Sequence, residues 1–231
     1  MFFGIDKYYI MLVLPAFLFS LYAQFKVKGT FSKYSGYINR RGLTGADIAR
    51  EILNRNGLYD VQVEMVPGEL TDHYDPKSRV VRLSEVVCYS TSVAAIGVAA
   101  HETGHAIQHK VGYAPLGLRS SLVPMANIGS SIGPYMAIFG IMFSWQLLTN
   151  LGIVFFTIAV AFYLVTLPVE FNASSRAIRI LESSGMLSYE EMAPVKKVLS
   201  AAAMTYVASA AVAMANLLRL IMLSNDRRRN D

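Results

Sequence analysis

His101-Glu102-Thr103-Gly104-His105 is the cluster in this 231-residue chain whose residue types and spacing point most directly to chemistry. On a helix, positions four apart share one face a turn apart, so two imidazoles can grip a single divalent ion. Glu102 is rotated by about 100° from His101 and can reach a water at that ion without ligating it. A catalytic zinc takes three protein ligands and leaves a position open for water. The pattern therefore predicts one Zn²⁺ per chain and metal-assisted hydrolysis. Glu102 would take a proton from water and pass it to the leaving group.

The third ligand is not in the motif. His109 lies on nearly the same face, but ligands at 101, 105 and 109 would form a row about 12 Å long, too spread for one ion. A metzincin spacing would put a histidine at 111, where Val111 stands. His109 is therefore expected as a solvated or outer partner. Glu170 is the better candidate, because a carboxylate at the end of a membrane span is functional by default. The plainer alternative is a boundary glutamate in contact with head groups or Arg176. An electrophilic donor for the transition state is also needed, and His73, Tyr74 and Arg176 qualify by residue type. Asn172 and His109 join them as candidate partners around the site. The Val80–Leu83 segment reads either as an edge strand that adds an extended peptide or as an ordinary core strand.

These residues must be positioned by a membrane protein. Hydrophobic residues make up 54% of the chain and charged residues 16%, against about 25% in an ordinary soluble domain. The fifty residues 120–169 contain no Asp, Glu, Lys, Arg or His, whereas one span needs only about 20 apolar residues. Two apolar runs, Ile132–Leu148 and Leu151–Pro168, predict a helical hairpin turning at Thr149 and Asn150, with Asn127–Pro134 as an interfacial lead-in. Tyr8–Phe25 predicts an uncleaved anchor, because Leu21 stands where a cleavage site wants a small residue. Val198–Leu223, rich in alanine, is a fourth candidate span or a helix lying on the bilayer. Lys26, Lys28 and Lys33 directly after the first span place residues 26–119 on the cytoplasmic side. A crossing fourth span would leave Arg227, Arg228 and Arg229 outside, against that rule.

Residues 26–119 are the stretch long enough to fold outside the bilayer. Thr44 and Asp47 form a capping box ahead of Ile48, Ile52 and Leu53, with Gly57 as the stop. Val61, Val63 and Met65 alternate with polar residues and predict a strand ended by Pro67-Gly68. Asp75–Ser78 reads as a turn before Val80–Leu83, and a helix runs from Ser92 to about Lys110. The segments divide as 1–25 anchor, 26–119 α+β domain, 120–169 hairpin, 170–197 third-ligand helix and loop, and 198–231 last membrane helix with a basic tail.

The net charge of +5 does not indicate a nucleic-acid partner, because the 21 Lys and Arg form no basic stripe. The single cysteine, Cys88, excludes an intramolecular disulfide and reads as a small buried residue. A transporter would carry ionisable groups inside its spans; 8–25 and 132–168 hold none. A zinc-binding sensor or scaffold without catalysis is the alternative reading.

His101-Glu-Thr-Gly-His-Ala-Ile-Gln-His109 and Pro168-Val-Glu-Phe-Asn-Ala-Ser-Ser-Arg-Ala177 together resemble the YugP-type family of membrane zinc metallopeptidases. More distantly they resemble HtpX-type proteases of the gluzincin class. The resemblance covers nearly the whole chain. It implies Glu170 as third ligand in an E-x-x-A-D pattern, with Ala173 matching and Ser174 in place of the Asp. It also implies a plasma-membrane location in bacteria and a cytoplasm-facing site. The expected fold is a mainly α membrane protein with three to four transmembrane helices and a small α+β zincin-like domain. The expected partners are a protein or peptide substrate and the lipid bilayer.

Overall fold

The computed structural model describes residues 6–230, and the chain divides into two compact units. One comprises Met1–Gln24, Gly117–Pro168 and Met204–Asp231; the other comprises Phe25–Leu116 and Val169–Ala203. The first five residues of the expected anchor, Asp231 and the side chain of Arg229 lie outside the described residues.

The elements run α1 (Leu14–Ser35, preceded by a π-helical turn Tyr9–Val13), α2 (Gly45–Arg55), β1 (Gln62–Val66), β2 (His73–Asp75), β3 (Val80–Ser84), α3 (Glu85–Cys88), α4 (Val93–Lys110), α5 (Ala114–Met142), α6 (Gln146–Ser184) and α7 (Tyr189–Asn230). The protein is mainly helical with one small sheet. Three described helices are long and apolar enough to cross a membrane: Tyr9–Ser35, Gln146–Ser184 and Tyr189–Arg228.

In the unit that holds the hairpin, α5 and α6 meet through small residues. A methyl group on Gly129 would fall 2.2 Å from the Phe155 carbonyl oxygen, and one on Gly152 would fall 2.3 Å from the Ala137 nitrogen. The turn lies at Phe143-Ser144-Trp145, with Ser144 at φ 54°, and not at Thr149-Asn150 as the apolar runs suggest. Thr149 is instead buried inside α6, where its hydroxyl donates to the Trp145 carbonyl and Gly140 leaves it room. The helix thus satisfies the polar group that marked the expected break. The expected lead-in Asn127–Pro134 is part of α5. It contains Gly129-Ser130-Ser131-Ile132-Gly133, a serine-elbow spacing that is here a helix contact and not a strand-to-helix turn.

The ends of this unit are tied by charge. Arg219 Nη2 lies 2.6 Å from Asp6, and Lys7 Nζ lies 3.0 Å from Asp226. Arg227 donates to Ser144 Oγ and Arg228 to Asn150 Oδ1. Arg227 and Arg228 of the basic tail therefore pack on side-chain oxygens of the turn and of the start of α6.

The other unit is built on an apolar core that includes Ile48, Ile52, Leu53, Val81, Leu83, Ile96, Leu181 and Val195. α2 begins with the expected capping box, Thr44 and Asp47 bonding reciprocally. Asp75 closes the turn before β3, accepting from Lys77 N and Ser78 Oγ. The sheet order is β1-β3-β2, with β1 parallel and β2 antiparallel to β3. β3 is therefore central and paired on both sides, and the edge-addition reading of Val80–Leu83 is corrected. Its burial on both faces explains the run of Val80, Val81 and Leu83.

Candidate metal centre

α4 starts at Ser92, whose hydroxyl accepts from Ala95 N, and ends at Lys110. Nearly all of it is buried, which fits a sequence of Ala, Gly, Val and Ile with few charges. Its small residues set its neighbours' distance. Gly97 faces Val195 and Leu199 of α7, and a Cβ on Gly104 would fall 2.7 Å from the Ala173 carbonyl oxygen of α6. α6 thereby comes close enough to present Glu170 to the histidines of α4.

His101, His105 and Glu170 are all buried, and one ligand atom from each lies within 4.8 Å of the others. His101 Nε2 is 3.1 Å and His105 Nε2 3.5 Å from Glu170 Oε2. Four ligands about 2.1 Å from a tetrahedral ion stand roughly 3.4 Å from one another. Two imidazole nitrogens and a carboxylate oxygen at these separations fit a zinc ion by donor chemistry and by spacing. The imidazole rings are 4.8 Å apart and nearly perpendicular, an edge-to-face arrangement and not a stack.

The remaining ring nitrogens are also engaged. His101 Nδ1 lies 3.0 Å from Ser174 Oγ, one turn beyond Glu170 on α6. His105 Nδ1 lies 2.9 Å from Gln108 Oε1. Gln108, fully buried, donates from Nε2 to the Val169 carbonyl at 2.8 Å and to Asn172 Oδ1 at 3.0 Å. Arg176 Nε donates to the same Asn172 oxygen at 2.7 Å. Such outer bonds orient ligating imidazoles. Gln108 is absent from the sequence-derived candidates. Its one sequence signal is a polar residue three positions after His105 on a helix rich in Ala, Val, Ile and Gly.

Glu102 is 8% exposed. Its charge acts on His105, whose pKa burial alone would lower. The hydrogen bond to Glu170 and the charges of Glu102 and Glu170 outweigh burial and push His105 upward. The other candidates lie elsewhere or serve other partners. His109 Nδ1 lies 2.8 Å from the Tyr74 hydroxyl, a pair joining α4 to β2. Burial raises the Tyr74 pKa, so the hydroxyl stays protonated. His73 is exposed and its Nδ1 donates to the Thr71 carbonyl. Arg176 and Asn172 meet each other near Gln108.

Comparison with known proteins agrees with this chemistry. A family model described as "Putative neutral zinc metallopeptidase" matches residues 9–225. The chain is 52% identical over 215 residues to a Bacillus subtilis (strain 168) protein named "Putative membrane protease YugP", covering 93% of this chain and 96% of that protein. No solved structure matches.

Proposed function

The chain belongs to the zinc metallopeptidase family whose model it matches over residues 9–225, and on that premise we propose that it is a membrane-embedded, zinc-dependent endopeptidase of the gluzincin type. Its substrates are membrane or membrane-proximal proteins. His101, His105 and Glu170 hold one zinc per chain, and Glu102 is the general base. The observation that carries this reading is the buried set of three donors with Glu102 beside them on α4.

When bound, zinc supplies Lewis acidity that lowers the pKa of water and polarises a peptide carbonyl. The protein supplies the rest. Glu102 accepts the proton of the attacking water and delivers it to the leaving amine. Burial of Glu102 and Glu170 lowers the local dielectric and strengthens both charges' action on the reacting atoms. Ser174 and Gln108 hold the two imidazoles in place. Glu170 lies within α6, one of the three helices apolar enough to cross a membrane, which favours substrates presented at the bilayer. Lys26, Lys28 and Lys33 favour a cytoplasmic site in the cell membrane.

Replacing Glu102 by Gln keeps the shape of the side chain and removes the base. The variant in detergent should retain wild-type zinc and lose hydrolysis of an unfolded membrane-protein substrate by about 10²-fold or more. Retained turnover would remove Glu102 from its role. Zinc in the wild-type chain with no hydrolysis of any peptide would favour a zinc-binding protein without catalysis.

A further inference from the structure

Resting on the zinc reading above, we infer that Gln108 is a positioning residue that dictates which nitrogen of His105 faces the metal, and that Asn172 and Arg176 impose its orientation. The argument follows hydrogen-bond polarity outward to inward. A guanidinium can only donate, so the Asn172 atom that meets Arg176 Nε at 2.7 Å is its oxygen. That oxygen and the Val169 carbonyl both accept from Gln108, at 3.0 and 2.8 Å. Both N–H bonds of the Gln108 amide are then committed to acceptors. Its oxygen must face His105 Nδ1 at 2.9 Å, and that nitrogen must carry a proton. Nε2 is left to present its lone pair on the side of Glu170. Gln108 is fully buried, so water cannot substitute for any of these partners.

The two histidines differ in this respect. His101 Nδ1 meets the Ser174 hydroxyl, which donates or accepts according to need and fixes no tautomer. His105 meets an amide whose polarity is set by a donor-only cation and a backbone carbonyl. Arg176 and Asn172 thereby acquire a role distinct from contact with the substrate.

The test uses the full-length chain in detergent and reads zinc affinity by chelator competition, with the melting temperature of the metal-free protein as a fold control. Gln108→Met keeps the volume and removes the amide; it should weaken zinc binding about 10- to 100-fold. Asn172→Asp keeps the accepting oxygen and should bind zinc nearly as the wild type does. Asn172→Leu removes the oxygen and should weaken binding. With ¹⁵N-histidine and ¹¹³Cd in place of zinc, cadmium should couple to Nε2 of His105 in the wild type and in Asn172→Asp, and to a mixture of Nε2 and Nδ1 in Gln108→Met. Only four histidines need assignment. Wild-type affinity and pure Nε2 coupling in Gln108→Met would overturn the inference. So would Asn172→Asp as damaging as Asn172→Leu, a comparison that stands even if Gln108→Met fails to fold. A wild-type chain that takes up no zinc overturns the zinc reading itself. Zinc uptake without hydrolysis removes the peptidase reading and leaves the role of Gln108 intact.

Discussion

Gly104 and Ala173 mark a close approach of α4 and α6 at the site, where a methyl group on the glycine would stand 2.7 Å from the alanine carbonyl oxygen. Glycine is needed there by space and not by backbone dihedral, since Gly104 lies in regular helix and has no positive φ. The contact sits between His101 and His105 on one side and beside Glu170 and Ser174 on the other. Helix separation therefore governs ligand separation.

Gly104→Ala should push the two helices apart. Overpacking against backbone costs about 1–3 kcal/mol, more than the gain of about 1 kcal/mol in helix propensity from glycine to alanine. The variant should melt at a lower temperature and bind zinc more weakly than the wild type. Calorimetry and chelator competition together check this; a more stable variant with unchanged zinc affinity would contradict it.

Glu170→Ala should abolish the stoichiometric zinc, because it removes one of three donors and leaves two buried imidazoles. His109→Ala should keep it, because His109 bonds to Tyr74 and is not in the donor cluster. Elemental analysis of the two purified variants decides between them. Zinc kept by the first and lost by the second would transfer the third-ligand role to His109.

Acidification should release zinc earlier than an ordinary histidine pKa of about 6.5 implies. Zinc needs neutral imidazole, and the metal-free His105 pKa is raised, since Glu170 and Glu102 outweigh its burial. Protons therefore begin to compete with zinc as pH falls through that raised value, above the usual range. In the metal-free protein the sign reverses. The stability His105 contributes is complete below its unfolded pKa and is lost as pH rises through the raised folded one. Zinc affinity and metal-free melting temperature, measured from about pH 9 to about pH 5.5, should trend in opposite directions across this window. A zinc affinity that stays constant down to about pH 6 would rule this out.

Local signals in the chain were legible where the physics is local. Thr44 and Asp47 meet because they are three residues apart, and the capping box appears as expected. Ser92 and Lys110 bound α4 as their types suggest. The hairpin turn was misplaced because Thr149 and Asn150 look like a break when read as isolated polar residues. The hydroxyl of Thr149 is satisfied within its own helix, and Gly140 makes room for it, which is a property of the pair. Likewise Val80–Leu83 reads as a strand, but its central place follows from strand order, and β2 is only three residues long. The conflict between a crossing last helix and its basic tail also depends on tertiary partners. Lys7 and Arg219 pair with acids, Arg227 donates to Ser144 in the turn, and Arg228 donates to Asn150 near the start of α6.

By itself the sequence determined that two imidazoles and a carboxylate share one helix, because a 3.6-residue period places positions 101, 102 and 105 without reference to anything else. It also determined that this helix belongs to a protein of the bilayer, because fifty uncharged residues have no other stable solvent. What completes the centre was decided by the tertiary structure. Glu170 is 69 residues from His101, and Ser174, Val169 and Asn172 are as remote. Their meeting depends on how near α6 can come to α4, a distance set by a missing side chain at Gly104. Gln108 stands close to the motif in sequence, but its role comes from acceptors on the other helix. Hydrogen-bond polarity is a property of the assembled network, and only the packed helices reveal its direction.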